Sequence, residues 1–519
     1  MNNGIDFTSR GSKRHTMNLK KHTILTHNLL KYYGADESAE LIQTHISTII
    51  LSDNFVYKLK KPVDFGFLDY STLNKRHKYC LEEIRINEKY APTLYLGVVS
   101  ITGSIEAPQI DGEGQVLDYA VKMHRFSQQD QLDNIVDHSG LEIEMMDKIA
   151  KLVAHAHNNA APVDKASDFG EPKQLLNPML ENFDLLKSIA TEDALSQELS
   201  SIITWTHKQF EILKPQLQHR KKQGFIRECH GDMHLHNMAL YEGDLILFDA
   251  IEFNPYLNHI DVISDLSFLL MDLEYRGLTH HSYRLLNHYL ELTGDYEAVA
   301  LLDFYKTYRA MVRAKVAALR ITQERDNEVL RVLADEVKKY MELAQIYTGK
   351  KKPSMGITHG FSGSGKSTFS LMMVEQYGAV RIRSDRERMR MFESAGEESI
   401  YTADATKLTY EHLLTLAISV YNSGYSVIVD ATFLKQWQRE LFLKQAAMTD
   451  IPLHIYTMKC DLALMQSRIK KRSQEDSDIS EADLEILQKQ LLGAEPLLES
   501  EKELAVTIDC SSMVTMHES

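Results

Sequence analysis

The segment from Gly360 to Ser367, GFSGSGKS, has glycines, a lysine and a hydroxyl residue at the spacing G-x-x-x-x-G-K-[ST]. An apolar strand pattern precedes it and a helical pattern, TFSLMMVEQY, follows it. Glycines let a loop wrap its backbone N–H groups around a phosphate, and the following helix adds a favourable dipole. The alternative, an ordinary glycine-rich turn, does not account for this strand and helix. The pattern therefore predicts a nucleotide phosphate site.

Within this loop we expect Lys366 to reach the β and γ phosphates of ATP and the Ser367 hydroxyl to hold Mg²⁺. Lys366 would stabilise the charge that develops during transfer, so it also counts among the catalytic candidates. The predicted cofactor-binding residues of the loop are Gly360, Ser362, Gly363, Ser364, Gly365, Lys366, Ser367 and Thr368.

Asp385 follows the next strand pattern, at the strand end where ligands bind in open α/β sheets. A carboxylate at this place is a candidate base for the proton of a substrate hydroxyl. The alternative is a helix cap, a part that Ser384 could play instead. Most of the nearby arginines are expected to be solvated, with Arg388 the best candidate for ligand contact; the set is Arg381, Arg383, Arg386, Arg388 and Arg390.

Two further features complete this predicted site. Asp430 ends the apolar run VIVD and could orient Mg²⁺ or its waters, although Asp430 and Thr432 could instead start a helix. Arg468 and Arg472 are four residues apart on one helix face, which suits a mobile lid that clamps the transferring phosphate. Ordinary surface charge is the alternative for these two arginines.

GFSGSGKST, the S-D-x-x-R segment from Ser384, VIVDATF and the two lid arginines together resemble the small-molecule and polynucleotide kinases of the P-loop class. The resemblance implies that Asp385 activates the acceptor and that Arg468 and Arg472 form the lid. It does not imply which acceptor is phosphorylated.

A second constellation has the spacing H-x-D-x-x-x-x-N, formed by His230, Asp232 and Asn237, and an apolar strand pattern ends in Asp249 twelve residues later. In kinase catalytic loops of this kind the Asp receives the hydroxyl proton, whereas the Asn and the later Asp bind metal. We therefore predict Asp232 as a base and Asn237 and Asp249 as metal ligands. The alternative is a zinc site that combines Asp232 with the three histidines, His230, His234 and His236. It is disfavoured because these histidines lie on a predicted loop without a remote ligand.

The strand pattern FVYKLKK places Lys58 and Lys60 on the same side, and either lysine could bind phosphate. Of the glutamates on the following helix, Glu83 is the favoured partner of Lys58, and a solvated Glu83 is the alternative. Further along, Asp265 starts a helix too apolar to be exposed, and it is expected to brace the catalytic loop.

These motifs resemble the aminoglycoside phosphotransferase branch of the protein-kinase-like fold over roughly residues 40 to 345. Through the segments VYKLKKPVDFGFLD and DLSFLLMDL, the whole chain resembles the bacterial bifunctional aminoglycoside phosphotransferase/ATP-binding proteins. One departure is that HISTIILSDN, before the lysine strand, lacks the G-x-G-x-x-G loop of kinases.

These residues have to be positioned by elements that the remaining pattern predicts. Strand patterns and a helix over 73–89 form a small lobe (about 40–120), a helical lobe follows (about 125–348), and alternating strands and helices fill 353–519. Residues 1–21 are expected to be a flexible tail. The predicted fold class is α/β and α+β: a bilobal protein-kinase-like domain over 22–348, then a P-loop NTPase domain with a parallel sheet.

Composition narrows the function. The chain has 519 residues, 44% of them hydrophobic and 25% charged, which disfavours disorder and a membrane-embedded fold. Its net charge of −15 disfavours a nucleic-acid-coating protein, and its four scattered cysteines fit a reducing cytoplasm. The sequence predicts a phosphotransferase that uses ATP and Mg²⁺ at two sites, with a hydroxyl-bearing small molecule as acceptor. The alternatives are a nucleotide-dependent switch with a non-catalytic kinase-like half, and a nucleic-acid end kinase.

Overall fold

The computed structural model describes residues 17–33, 40–66, 68–189, 193–322, 324–393, 400–475 and 484–510. The described chain forms two compact units. The first comprises the described residues up to Ser139 together with His230–His259, and the second comprises Gly140–Cys229 and the residues from Ile260 onward. The helical lobe and the P-loop sheet thus belong to one unit, so this division does not coincide with the expected boundary near residue 350.

The first unit is built on an antiparallel sheet. Its strands are Glu40–Gln43, Ser47–Leu51, Phe55–Lys60, Tyr95–Gly103, Pro108–Ile110 and Val116–His124, in the spatial order first, second, third, sixth, fourth, fifth. A helix at Leu19–Tyr33, which begins inside the expected tail, buries Leu25 and Leu29 against Tyr57 and Leu59. Because side chains alternate along a strand, Lys58 and Lys60 face the opposite side of the sheet.

The helix Leu73–Asn87 packs on the lysine-bearing face of this sheet, and its Cys80 lies in the core with Val121. Thr72 caps the helix by accepting a hydrogen bond from the Lys75 N–H. The unit also contains the short helices Gln128–Asp130, Leu132–His138, Leu235–Asn237 and Pro255–Asn258 and the hairpin strands Met238–Tyr241 and Asp244–Leu247.

The amino-terminal part of the second unit is helical. Its helices are Met145–Asn159, Pro172–Ile189, Asp193–Gln223, Val262–Tyr275, Thr279–Thr293, Tyr296–Leu301, Leu302–Ile321 and Asn327–Thr348, and short strands occur at Ile226–Glu228 and His259–Asp261. The helix Val262–Tyr275 is almost wholly buried, as its apolar sequence predicts, and Asp261 caps it by accepting from the Ile263 N–H. Phe268 and Met271 of this helix pack against Met311 and Tyr340 in the main core.

The P-loop part has a five-stranded parallel sheet, which confirms the predicted alternation of strands and helices. The strands are Met355–His359, Val380–Arg383, Val427–Asp430, Leu453–Lys459 and Ala505–Asp509, in the spatial order second, third, first, fourth, fifth. The helices are Lys366–Tyr377, Ser384–Met391, Ala403–Asn422, Gln436–Thr449, Leu462–Glu475, Leu484–Gly493 and Glu499–Lys502. The first and third strands are parallel neighbours. Gly360, just after the first strand, and Asp430, at the end of the third, therefore lie at the same end of the sheet.

No helix in the described ranges combines the length and the apolar character needed to cross a bilayer.

Arg220 holds the helical part together through two buried carboxylates. Its guanidinium donates to Asp261 at 2.7 Å and to Asp295 at 2.7 Å, and all three side chains are buried. Arg220→Met would leave two buried carboxylates without their cation, so we expect a loss of about 3–5 kcal/mol in stability.

Urea unfolding followed by the fluorescence of Trp205, which lies on the same helix as Arg220, measures this loss. Lys187→Met is the control, because Lys187 and Asp184 form an exposed pair worth at most about 1 kcal/mol. Equal midpoints for Arg220→Met and the control would contradict the prediction.

Candidate functional site

The predicted phosphate loop leads from the first strand of the parallel sheet into the helix Lys366–Tyr377. Gly363 and Gly365 have φ angles of 77° and 92°, which side chains with a Cβ rarely adopt. A Cβ at Gly363 would also lie 2.7 Å from the Met465 carbonyl oxygen. Lys366 Nζ folds back and donates to the Phe361 carbonyl at 2.7 Å. The loop thus has the geometry that the motif requires.

Ser370 lies between the two residues that are predicted to hold Mg²⁺, Ser367 and Asp430. Asp430 is buried at its strand end, and its Oδ2 accepts from Ser370 Oγ at 3.0 Å. The same Ser370 oxygen lies 3.1 Å from the Ser367 carbonyl oxygen, one turn earlier on the helix, as an alternative acceptor for its single hydrogen. Ser367 itself is exposed. A serine hydroxyl and a carboxylate are oxygen donors of the kind that Mg²⁺ prefers, so the residues present fit the ion.

Asp385 lies in the first turn of the helix Ser384–Met391 and is half-buried. Burial by itself would raise its pKa, but the Arg383 guanidinium, 2.6 Å from Oδ2, and the Arg386 N–H hold the pKa of Asp385 below its ordinary value. At neutral pH this carboxylate is therefore ionised and able to accept a proton.

The arginines near Asp385 are less solvated than expected. Arg388 is half-buried, donates to the Ile400 carbonyl at 2.7 Å and lies over the Tyr401 ring. Arg381 is only 6% exposed, so it is not one of the solvated arginines that are expected to form most of this set. No local pattern marks Arg381 as buried, because its partners Asn287 and Glu291 come from the helical lobe.

One of the two predicted lid arginines reaches the loop. Arg468 donates to the Gly363 carbonyl at 3.5 Å and to the Cys510 carbonyl at 3.2 Å. Arg472 belongs to the same helix, but its side chain lies outside the described part of the chain.

Gln490 is a contact of the loop that sequence reasoning missed. Its Oε1 accepts from the Ser362 N–H at 2.8 Å, and its Nε2 donates to Ser362 Oγ at 2.9 Å. The two residues are 128 positions apart, and no spacing pattern marks a glutamine at that distance. Gln490 therefore satisfies a loop amide of the kind that binds phosphate in such loops.

In the first unit, Lys58, Glu83 and Asp249 come together. Lys58 Nζ lies 2.8 Å from Glu83 Oε1 and also pairs with Asp249. Glu82, the neighbour of Glu83, instead pairs with Arg85 on a more exposed part of the helix. The geometry is that of the predicted lysine–glutamate pair beside a strand-end aspartate.

Lys60 has a separate set of buried partners, which includes Glu252 and Tyr70. It lies 2.7 Å from Glu83 Oε2 and pairs with Glu252, whose Oε1 accepts from the Tyr70 hydroxyl at 2.5 Å. Its side chain is 1% exposed, against 10% for Lys58. The greater exposure of Lys58 favours it over Lys60 as the predicted phosphate-binding lysine.

The predicted catalytic loop is closed by hydrogen bonds within the first unit. Asn237 Nδ2 donates to the Asp232 carbonyl at 3.0 Å and lies 3.2 Å from Asp232 Oδ2. His230 Nε2 is 2.9 Å from the Phe248 carbonyl oxygen, so it links this loop to the strand end before Asp249. Asp232 and Asn237 are thus adjacent, as their predicted roles require.

Asp249 has a φ of 61°, in the left-handed region that residues other than glycine rarely occupy. The Tyr95 hydroxyl accepts from its N–H at 3.1 Å, and Asn87 Oδ1 accepts from the next N–H, that of Ala250, at 2.9 Å. Strained backbone of this kind is concentrated at functional sites. The sequence does not indicate that Tyr95 contacts this site, since a tyrosine is common in a strand whether or not it contacts a functional site.

The alternative of a zinc site is not supported by the geometry. His234 is 3.3 Å from Asp232, but His236 pairs with Asp133. Among the described residues, a different group, His157, Cys229 and Asp265, could hold a metal ion. These side chains are buried and hydrogen-bonded: His157 contacts Asp265 at 3.2 Å and the Tyr289 hydroxyl at 2.9 Å. Asp265, expected to brace the catalytic loop, is thus a partner of His157.

The described chain thus contains an antiparallel sheet in its first unit and, in its second unit, a helical part and a parallel α/β sheet that carries the glycine loop. Residues 355–497 match the family model of an AAA domain. Over 445 residues, 84% of this chain and 86% of the relative, the sequence is 28% identical to an uncharacterized protein of Mycobacterium tuberculosis (strain ATCC 25618 / H37Rv). The same figures hold for an uncharacterized protein of Mycobacterium bovis (strain ATCC BAA-935 / AF2122/97).

Solved structures with distant similarity include kinases. Choline kinase from Cryptosporidium parvum is 8% identical, with a TM-score of 0.38 over 63% of this chain and 95% of its own. An ethanolamine kinase of Plasmodium vivax is 12% identical, with a TM-score of 0.35 over 62% and 86%. A gluconokinase from Sinorhizobium meliloti is 22% identical, with a TM-score of 0.24 over 32% and 90%. The aminoglycoside phosphotransferase family stays a prediction.

The two lysines should differ in their effect on stability. Lys60→Met leaves Glu252 buried without its cation and should lower the stability of the first unit by about 3–5 kcal/mol. Lys58→Met should lower it by about 1 kcal/mol, because the side chain of Asp249 is 45% exposed and stays hydrated.

Both tryptophans, Trp205 and Trp437, lie in the second unit, so hydrogen exchange of the amides of Phe55–Lys60 in increasing urea is the appropriate measurement. A larger loss in Lys58→Met than in Lys60→Met would reverse the assignment of the buried lysine.

Glu83 makes the first unit sensitive to acid. Burial alone would raise its pKa, but Lys58 and Lys60 lower it to about 2. A depressed carboxylate pKa stabilises the fold above the unfolded value, near 4.5, and this contribution disappears as the pH falls toward 2. We expect wild type to exceed Glu83→Gln in stability at pH 6 and the difference to shrink by pH 2.5, measured by the same exchange experiment. A difference that is constant over this range would contradict the assignment.

Proposed function

We propose that the chain is a phosphotransferase with two nucleotide sites that transfers the γ-phosphoryl group of ATP to a hydroxyl of a small molecule. The observation that carries the proposal is the P-loop site. Three features lie at the carboxyl ends of neighbouring strands of this sheet. They are the glycine loop with Lys366, the buried carboxylate of Asp430 and the ionised carboxylate of Asp385. Phosphoryl transfer needs mainly charge stabilisation and alignment of the reacting oxygens, and these residue types supply both.

In the proposed step, Asp385 accepts the proton of the acceptor hydroxyl while the oxygen of that hydroxyl forms a bond to the γ phosphorus. The bond between this phosphorus and the β–γ bridging oxygen breaks, and ADP is the leaving group. Lys366 would have to exchange the Phe361 carbonyl for phosphate oxygens, and Arg468 would add positive charge near the loop. Mg²⁺, held through Ser367 and Asp430, would neutralise phosphate charge.

The kinase-like site supports a second activity of the same class. Asp232 would serve as the base, Lys58 with Glu83 would bind phosphate, and Asn237 and Asp249 would hold Mg²⁺. Lys58 and Asp249 are paired with each other, so ATP with its metal would have to separate them. That pairing and the missing glycine loop are the two observations on which the alternative rests, in which this half senses nucleotide without transferring phosphate.

Transfer of labelled phosphate from ATP to a panel of hydroxyl compounds tests the proposal on the full chain. We expect Lys366→Ala to lower transfer at the P-loop site by roughly a hundredfold or more, since a preorganised charge is lost. Lys444→Ala, an exposed lysine in the same domain, is the matched control. Asp232→Asn against Asp184→Asn, an exposed control, reports whether the kinase-like half transfers phosphate.

Transfer that is insensitive to both Lys366→Ala and Asp232→Asn would show the proposal to be wrong. ATP hydrolysis that depends on Lys366 but involves no acceptor would favour the nucleotide switch. Transfer to nucleic-acid ends that falls steeply with salt would favour the end kinase, which the net charge of −15 disfavours.

A further inference from the structure

The strand Val380–Arg383 is an edge strand of the parallel sheet, and its inner neighbour is Val427–Asp430. The Val380 N–H donates inward to the Ser426 carbonyl at 2.8 Å, so the N–H and carbonyl of Arg381 point away from the sheet. An uncovered edge of this kind invites pairing with other chains, and proteins usually cover or block it.

The helical lobe covers this edge with side chains. Asn287, on the helix Thr279–Thr293, accepts from the Arg381 N–H at 2.7 Å. The Tyr296 hydroxyl donates to the Arg381 carbonyl at 3.4 Å. Both outward backbone groups of Arg381 are therefore satisfied by the lobe that precedes the P-loop domain in the sequence.

The side chain of Arg381 continues from this edge to the phosphate loop. Its Nε donates to Glu291 Oε1 at 2.8 Å, and its Nη1 donates to the Ser367 carbonyl at 3.1 Å. Glu291 is 3% exposed and also accepts from Asn287 Nδ2 at 2.8 Å. A buried arginine thus joins a glutamate of the helical lobe to the residue whose hydroxyl is the predicted Mg²⁺ ligand.

The same lobe helix also holds the other end of the P-loop helix. Arg284 donates to Glu375 at 2.9 Å, near the end of Lys366–Tyr377. Gly378, with a φ of 65°, ends that helix so close to the Tyr283 ring that a Cβ would lie 2.8 Å from it. The contacts at the two ends are separate, which allows the one at Ser367 to be tested alone.

We propose that Arg381, held by Glu291, is a positioning residue that fixes the first turn of Lys366–Tyr377 and so sets the orientation of Ser367 for Mg²⁺ and nucleotide. The helical lobe is then a structural part of the P-loop site. The role assigned to Arg381 is exerted through Ser367, because the described hydrogen bonds of its side chain go to Glu291 and the Ser367 carbonyl. This inference rests on the proposed function for its consequence, but its structural part can be measured without ligand.

The experiment uses the full chain with Arg381→Gln, Arg381→Lys and, as the matched control, Arg284→Gln. Hydrogen exchange of amides 366–371 is measured without ligand, and the Mg²⁺ concentration for half-maximal ATP binding is measured by calorimetry. We expect Arg381→Gln to raise both the exchange rate and the half-saturating Mg²⁺ concentration about tenfold, the effect of losing one hydrogen bond from a charged donor. Arg284→Gln should leave both near their wild-type values.

Arg381→Lys separates positioning from general stability. A lysine keeps the charge opposite Glu291, so the unfolding midpoint should return toward wild type. Its single ammonium group lacks the planar fork that reaches Glu291 and Ser367 together, so the half-saturating Mg²⁺ concentration should stay raised. Recovery of both quantities in Arg381→Lys would overturn the proposal. If Arg381→Gln does not fold, Arg381→Lys and Glu291→Gln carry the test, and Glu291→Gln should raise the exchange rate by a smaller factor.

The exchange readout decides the proposal even if the nucleotide function fails. Unchanged exchange at 366–371 in Arg381→Gln would overturn it, whatever the chain binds. Raised exchange in a protein that binds no ATP would uphold the positioning contact and contradict the proposed function alone.

Discussion

A charge that is removed from water has to be paired, and this requirement organises both units. Several buried arginines and lysines among the described residues are met by carboxylates from distant segments: Lys60 by Glu83 and Glu252, Arg220 by Asp261 and Asp295, Arg381 by Glu291, Arg439 by Glu501. Such pairs contribute little net stability, but breaking one of them is strongly destabilising. These pairs therefore determine which elements must be adjacent. The positions of those elements in turn determine the geometry of the candidate sites.

The two candidate sites use this constraint differently. In the first unit the buried pairs are part of the candidate site itself, since Glu83 pairs with the structural Lys60 and with the more exposed Lys58. In the part with the parallel sheet, the buried pair of Arg381 and Glu291 reaches the helix after the glycine loop through a backbone carbonyl, that of Ser367. Lys58 is thus a candidate for direct contact with a ligand, whereas the role inferred for Arg381 is indirect.

Much of this arrangement could be predicted from local patterns. The parallel sheet, the glycine loop, the lysine strand and the capped apolar helix at Val262 all follow from periodicity and motif spacing within short windows. What could not be predicted are contacts between remote segments: Gln490 with Ser362, Glu252 with Lys60, and Asn287 with Arg381. A glutamine or an arginine on a helix looks the same in sequence whether it meets solvent or a partner a hundred residues away. The solvated face that is expected for most of the arginines near Asp385 does not hold for Arg381, while Asp385 and Asp430 lie next to the strand ends that the pattern predicts.

The contact between Gln490 and Ser362 gives ligand entry at the P-loop an unusual character. A backbone N–H carries one hydrogen, so the Ser362 amide cannot serve a phosphate oxygen fully while it donates to Gln490. An anion that binds this amide has to replace Gln490 Oε1 as its hydrogen-bond acceptor. Binding therefore exchanges one acceptor for another. The contribution of this amide to the free energy of binding is then the difference between its hydrogen bond to the anion and its hydrogen bond to Gln490. The position of the helix Leu484–Gly493, which carries Gln490, therefore affects the affinity of any ligand that uses this amide.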